Sequence, residues 1–375
     1  MGKPRLSGLA FFAALGALGA SLAAVAQGTL LIGQTADFSG PQSSAVKETT
    51  EAAKAYFDWV NKHGGVNGKR IVLESVDDGF DPKRTVANAT QLITQRKVLA
   101  LMLSRGTANA EALIPVTRTY KTMVFAPVGG SELMHRPADH YLFNIRPMHR
   151  LEAEKAVGQL SAQGLRRIAV AYVNDALGND GIKGALAGLK AANLEAAALV
   201  PIPRGEPKVE EAVEVLVKAK PDAIVGICIA KSCAALVKQL RARGSLAQFV
   251  SLSNTSSAGY VKDLAQDARG VIVTQVYPYP FSDVPSVSKE FRQLAAEYKL
   301  AQSYSALEGF IAGKVMTEAL RRAGANPTPA SLIAAMEKLD HYDVGGFTIN
   351  FAGQGRTGSE FMELTMISKN GRFIR

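Results

Sequence analysis

The chain has 375 residues, 47% of them hydrophobic and 20% charged, with a formal net charge of +10. This length allows two domains of ordinary size, each able to bury its own core, and the composition is globular, which excludes a disordered or fibrous chain. The basic residues are scattered, with no basic run interleaved with aromatics, so the surplus reads as a solvated surface; no nucleic-acid partner is expected.

Lys3 and Arg5 form a short basic segment, residues 6–22 are apolar, and Ala24-Val25-Ala26 is an A-x-A processing signal. Residues 1–26 are therefore expected to be a signal peptide, cleaved after Ala26 so that the mature chain starts at Gln27. The run is rich in Ala and Gly and lacks a flanking stop-transfer pattern, which argues against a membrane anchor. Cleavage removes Lys3 and Arg5 and no acidic residue, taking the formal charge from +10 to +8. No cysteine sits at the processing site, so a free exported protein is expected in place of a lipid-anchored one.

Strand-like runs follow at residues 30–35, 70–76, 98–104, 123–126, 168–173, 223–229, 249–253 and 270–276, with helix-period segments between most of them. This alternation predicts α/β architecture with parallel sheets covered by helices on both faces. There are too many units for one compact sheet, so two doubly wound lobes are expected. The first ends near Pro147 and the second begins with a helix over 151–163.

Residues 62–93, KHGGVNGKRIVLESVDDGFDPKRTVANATQLI, define one such unit. Gly64-Gly65 stops a helix, Asn67-Gly68 turns the chain into a strand, and Asp81 caps a second helix with Pro82 in its first turn. Cys228 and Cys233 lie where a strand gives way to a helix; a disulfide and two buried thiols are both compatible with that spacing. Further on, residues 305–323 predict a helix with Leu307, Phe310, Ile311 and Val315 on one face, closed by Gly324. YPYPF and DVGGF interrupt regular elements, and the tail alternates as strands.

GGVNGK, the strand ending in Asp77-Asp78, and Asp81-Pro82 before a helix resemble the opening lobe of type I periplasmic binding proteins of the leucine/isoleucine/valine-binding group. FNIRP (143–147), RIAVAYVNDALG (167–178), VIVTQVYPYP (271–280), SALEGFIAGKV (305–315) and DVGGFTINF (343–351) extend the resemblance to the C-terminus. The resemblance implies two lobes joined by a three-segment hinge, with crossings near 147, 277–280 and 344. Lobe 1 would hold 27–147 plus 280–344, and lobe 2 would hold 148–279 plus 345–375. It also implies a periplasmic monomer that captures a small solute and delivers it to a membrane ABC permease with ATPase subunits on separate chains. The alternative is a soluble binding protein that presents its solute to a separate sensor or regulator.

In open α/β sheets, ligands bind at the carboxyl ends of the strands, where loops enter helix N-termini. The loop 104–111, SRGTANAE, offers backbone amides near Gly106, Thr107 and Ala108 and the Thr107 hydroxyl to an anionic group, and looks like the family's carboxylate-holding loop. Arg105 either adds a bidentate contact or faces solvent. In PVGGSE, Val128, Gly129 and Gly130 let the backbone approach a ligand.

Amino-acid binders of the family carry two acidic and two aromatic residues at second-lobe positions where this chain has His149, Leu177, Ile229 and Ser253, the last followed by Asn254. With no carboxylate there to hold an ammonium group, the cleft favours an amine-free aromatic or aliphatic acid whose body rests on Val128, Leu177 and Ile229, while the family resemblance keeps a branched-chain amino acid as the other expected solute. Asp175 or Asp180 takes the acidic role if the correspondence shifts by a residue or two. His149 is a neutral hydrogen-bonding contact, a partner for the anion, or a surface residue.

No HExxH, G-x-S-x-G or Walker sequence is present and the five histidines are scattered, so neither an enzyme nor a metal site is expected, and no cofactor.

Overall fold

The computed structural model describes residues 28–353 and 355–375; the expected signal peptide lies outside them. The chain opens with β1 (Thr29–Ala36), α1 (Ser43–Lys62), β2 (Arg70–Asp77) and α2 (Pro82–Thr94). Gly64 and Gly65 take φ of 97° and 71°, a left-handed exit from α1 that a side chain would strain. Asp81 caps α2 by accepting from the Lys83 amide at 2.8 Å, with Pro82 in the first turn as expected.

Then come β3 (Leu101–Met102), α3 (Thr107–Tyr120), β4 (Val124–Phe125) and β5 (Leu142–Phe143), completing an all-parallel sheet in the order β2-β1-β3-β4-β5. β3 is much shorter than the predicted run 98–104. The left-handed residues Leu103 (φ 55°) and Ala126 (φ 49°) directly follow β3 and β4 and break the extended backbone there.

The second sheet is built from α4 (His149–Ala162), β6 (Ile168–Val173), α5 (Ala176–Ala191), β7 (Leu199–Ile202), α6 (Glu210–Ala219), β8 (Ala223–Ile227), α7 (Ala230–Ala242), β9 (Gln248–Ser251), α8 (Ala258–Leu264) and β10 (Ile272–Gln275). Its parallel strands run β7-β6-β8-β9-β10. After β10 the chain returns to the first lobe as α9 (Ser286–Tyr298), α10 (Tyr304–Arg322) and α11 (Pro329–Glu337). α10 lies against α1 because Gly309 and Gly313 face it: a Cβ on Gly309 would sit 1.9 Å from the Thr49 carbonyl oxygen. On α5, Gly184 and Gly188 admit α4 in the same way, a Cβ on Gly184 falling 1.8 Å from the Arg150 carbonyl oxygen.

The hairpin β11 (Tyr342–Asp343) and β12 (Thr348–Ile349) follows, then β13 (Glu363–Ile367) and β14 (Phe373–Ile374), which add antiparallel to β10 at the edge of the second sheet. The last crossing differs from expectation. Phe351 packs edge-on against Phe125 and Phe143, and Asn144 and Ile145 exchange backbone hydrogen bonds with residues 356–359. Residues 345–353 and 355–359 therefore stay with the first sheet, and the chain crosses between Ser359 and Glu363, not near Val344. An aromatic ring buried under β4 and β5 outweighs the strand-like alternation of FTINF. Among the described residues no helix is long and apolar enough to cross a membrane.

Cys228 and Cys233 are joined in a disulfide with a Cα–Cα distance of 5.6 Å, tying the end of β8 to the first turn of α7. Both are fully buried. Closing so short a loop constrains the unfolded chain by about 2 kcal/mol. Reduction, or the double change Cys228→Ala/Cys233→Ala, is expected to lower the unfolding free energy by about that amount in urea titrations; equal midpoints before and after reduction would contradict the bridge.

Candidate functional site

The two sheets place their ligand crevices by strand order. The first reverses direction between β1 and β3 and the second between β6 and β8, so the loops after these four strands flank the switch points. They carry Gln42, Ser104 to Gly106, Asp175 with Leu177, and Cys228 with Ile229. A surface cavity of about 580 Å³, lined by Leu165, Asp222 and Leu246 among others, lies at the opposite, amino-terminal ends of the second-sheet strands.

The loop after β3 is laced to the loop after β4: the Val128 amide donates to the Ser104 carbonyl at 2.7 Å and the Gly106 amide to the Val128 carbonyl at 3.0 Å. Gly106 therefore has no amide to offer an anion, contrary to expectation. Its φ of 96° and the Phe80 ring, 2.6 Å from where a Cβ would stand, explain why glycine is required there. α3 starts without a side-chain cap, which leaves the first-turn amides of Thr107 and Ala108 without a capping side chain.

Arg105 does not face solvent. It is 2% exposed and projects between the lobes, with Nε donating to Gln42 Oε1 at 3.2 Å and Nη2 to the Asn254 carbonyl of the second lobe at 2.6 Å. Arg146, at the end of FNIRP, joins it, 1% exposed, with Nη2 donating to Ser253 Oγ. Glu308 of α10 lies between them, Oε1 3.6 Å from Arg146 Nη1 and Oε2 4.0 Å from Arg105 Nη1, while accepting from the Tyr277 hydroxyl at 3.1 Å. Arg105 Nη1 and Arg146 Nε and Nη1 have no hydrogen-bond partner. Burial pulls the Arg105 guanidinium down to about 10, with Glu308 opposing, so it stays cationic at neutral pH.

His149 is buried in the first turn of α4, where Nδ1 pairs with Glu152 Oε1 at 3.0 Å, which removes the surface alternative. Glu152 is also bound by the Ser253 amide and hydroxyl and by the Thr274 hydroxyl. The second lobe thus contains a buried carboxylate that the sequence comparison missed, one helical turn beyond His149, and its acceptors are spent on the protein. Asp175 is spent likewise, capping α5 through the Leu177 amide and pairing with Arg204 at 3.1 Å. Asp180 Oδ1 accepts from the Glu132 amide, and its other oxygen is buried without a partner. Leu177, Ile229 and Val128 are buried, as are Ser253 and Asn254, whose Oδ1 is unpartnered.

Arg204, after β7, fastens the lobes: Nη1 donates to the Phe80 carbonyl at 3.0 Å and Nη2 to Asn109 Oδ1 at 2.9 Å, with the guanidinium 4.0 Å from the Phe80 ring centroid. Phe80 takes φ of 65°, a strained conformation for a bulky residue. Nearby, the His149 amide donates to the Gly130 carbonyl at 2.9 Å, and a Cβ on Gly130 would lie 2.8 Å from the His149 ring. Sequence reasoning named Gly130 and His149 but not Arg204 or Glu308, whose partners are remote in the chain.

Two predictions follow from these contacts. Hydrogen bonds to a charged group are worth about 1.5–3 kcal/mol each, and overfilling a packed contact costs about 1–3 kcal/mol. Arg204→Ala and Gly130→Ala should therefore each favour lobe opening, raising the radius of gyration in solution scattering and weakening solute binding about 10-fold; scattering identical to wild type would refute the closure role.

The second prediction concerns pH. Burial pushes the Glu152 carboxyl up, but the His149 hydrogen bond and charge, Arg146 and Thr274 outweigh it and bring it from 4.5 to about 2. Because the folded value lies below the unfolded one, its stabilisation is complete above about 4.5 and is lost as pH falls toward 2. Glu152→Gln is expected to flatten the pH dependence of the urea midpoint across that window; an unaltered slope would count against it.

Comparison with known proteins agrees with this architecture. A family model described as "Periplasmic binding protein" matches residues 29–372. The "Leu/Ile/Val-binding protein homolog 3" of Brucella melitensis biotype 1 is 32% identical over 88 residues, which span 24% of this chain and 23% of that protein. A substrate-binding periplasmic protein from Ralstonia solanacearum is 35% identical, with a TM-score of 0.88 over 92% of this chain and 99% of that one. An ABC transporter solute-binding protein from R. palustris, solved in complex with benzoate, shares the fold at 16% identity, with a TM-score of 0.83 over 92% of this chain and 95% of that one. The chain belongs to the type I periplasmic binding proteins, a family of substrate-binding proteins and not of enzymes.

Proposed function

We propose that this protein is the periplasmic solute receptor of an ABC importer and that its solute is an amine-free carboxylic acid. The reading rests on one observation above all: two buried guanidinium groups face the inter-lobe space with unpartnered N–H donors, while the carboxylates Glu152, Asp175 and Glu308 are engaged with protein groups. An ammonium group brought beside the arginines would meet two fixed positive charges, with Glu152 and Glu308 already engaged by guanidinium or hydroxyl groups, which is costly; Asp180, whose second oxygen is unpartnered, is the carboxylate that an amino-acid solute would have to use. A carboxylate finds donors on Arg105, Arg146 and the first turn of α3.

The solute's body rests on Val128, Leu177 and Ile229, with Thr107, Ala108 and Asn254 at its polar end. Relatives point both ways. The Brucella protein is named for leucine, isoleucine and valine, and the R. palustris protein was solved with benzoate; the arginines and the saturated Glu152 favour the second kind of solute.

Capture works by hinge closure. Contacts from both lobes to the solute stabilise the closed form, and that form docks on a permease whose ATPase subunits are separate chains. The receptor acts as a monomer, exported on a leader cleaved after Ala26.

The test is a panel of amino acids, benzoate-type acids and aliphatic carboxylates added to protein stripped by unfolding and refolding. The expected result is a raised thermal midpoint with an amine-free acid and none with amino acids. Selective stabilisation by an amino acid would overturn the reading.

A further inference from the structure

Arg105 comes from the first lobe and Arg146 from the segment leading into the second, yet both guanidinium groups end at the same buried point beside Glu308. Arg105 Nη1 and Arg146 Nε and Nη1 lack acceptors there. Buried donors left unpaired are costly, and guanidinium donors more so than neutral ones, so the arrangement calls for an acceptor from outside the protein. Glu308 approaches Arg146 Nη1 and Arg105 Nη1 only to 3.6 and 4.0 Å, beyond hydrogen-bond reach, and Gln42, the Asn254 backbone carbonyl and Ser253 are bound to the remaining nitrogens.

We propose that Arg105 and Arg146 together form the anion subsite, presenting their unpartnered N–H donors to one solute carboxylate on the side away from Glu308, and that they set the specificity of the receptor. This deepens the amine-free reading above and moves the main anion contact from backbone amides to side chains. Charge favours a monoanion over a dianion: the two guanidinium charges are already opposed by Glu308 and by Glu152, which lies 3.9 Å from Arg146 Nη2, so each further negative charge on the solute adds to the buried negative charge. An amide in place of the carboxylate would turn its own NH₂ donors toward N–H donors.

The experiment titrates acetate, benzoate, hexanoate and L-leucine, each beside its amide and with chloride matching ionic strength, into wild type, Arg105→Gln, Arg146→Gln and Arg105→Lys. Thermal midpoint and calorimetric affinity are the readouts, with far-UV circular dichroism checking the fold. At least one acid is expected to stabilise wild type while its amide does not. Each glutamine variant is expected to weaken that acid about 30-fold or more, with partial recovery in Arg105→Lys.

A stabilising acid that binds both glutamine variants with wild-type affinity overturns the subsite, as does equal binding of an acid and its amide. Should a glutamine variant fail to fold, Arg105→Lys decides, because undiminished affinity there removes the need for the guanidinium. Stabilisation by L-leucine alone, abolished in Arg105→Gln, would sink the amine-free reading and leave the arginine subsite standing. No response to any of the four acids would overturn both.

Discussion

Arg105 and Arg146 carry two full charges into a space closed by both lobes, and much of the surrounding architecture answers that constraint. A guanidinium cannot discard its proton as a buried lysine can, so compensation has to come from fixed neighbours. Glu308 stands between them from α10, Glu152 approaches from α4, and Gln42, Ser253 and the Asn254 carbonyl take individual N–H bonds. These groups belong to both lobes and to the hinge segments. The electrostatics of one spot therefore depend on how the two halves of the molecule are arranged.

That arrangement is made possible by close helix contacts. Gly309 and Gly313 let α10 settle on α1, and Gly184 and Gly188 let α5 settle on α4. In each pair the glycines are one helical turn apart, so a single smooth face meets the neighbouring backbone. The first seam holds Glu308 toward Tyr277 and the guanidiniums, while the second orders the helix that carries His149 and Glu152. Framework residues far from the crevice thus set the distances within it.

Closure and recognition are separable in this structure. Arg204 with Phe80 and Asn109, and the His149 amide with Gly130, join the lobes along the rim without using the central donors. A rim held by a few hydrogen bonds of charged groups lowers the cost of bringing the lobes together, and the proposed anion subsite lies apart from it. Asp175 serves both, since it caps α5 beside Leu177 and holds Arg204 in place.

Local sequence determined the α/β class, the two-lobe plan, the Asp81 and Gly64-Gly65 boundaries and the loops around Thr107 and Gly130, because caps, turns and periodicity act over a few residues. It also located Arg105 and His149 without choosing between exposed and buried roles. Tertiary structure made that choice. It brought Arg105 and Arg146 together on Glu308, saturated Glu152, joined Cys228 to Cys233, and kept residues 345–353 and 355–359 on the first sheet through Phe351. Each of these outcomes except the disulfide depends on contacts between segments tens to hundreds of residues apart. Burial and charge compensation are properties of that three-dimensional neighbourhood, whereas a helix cap or a turn is complete within its own stretch of chain.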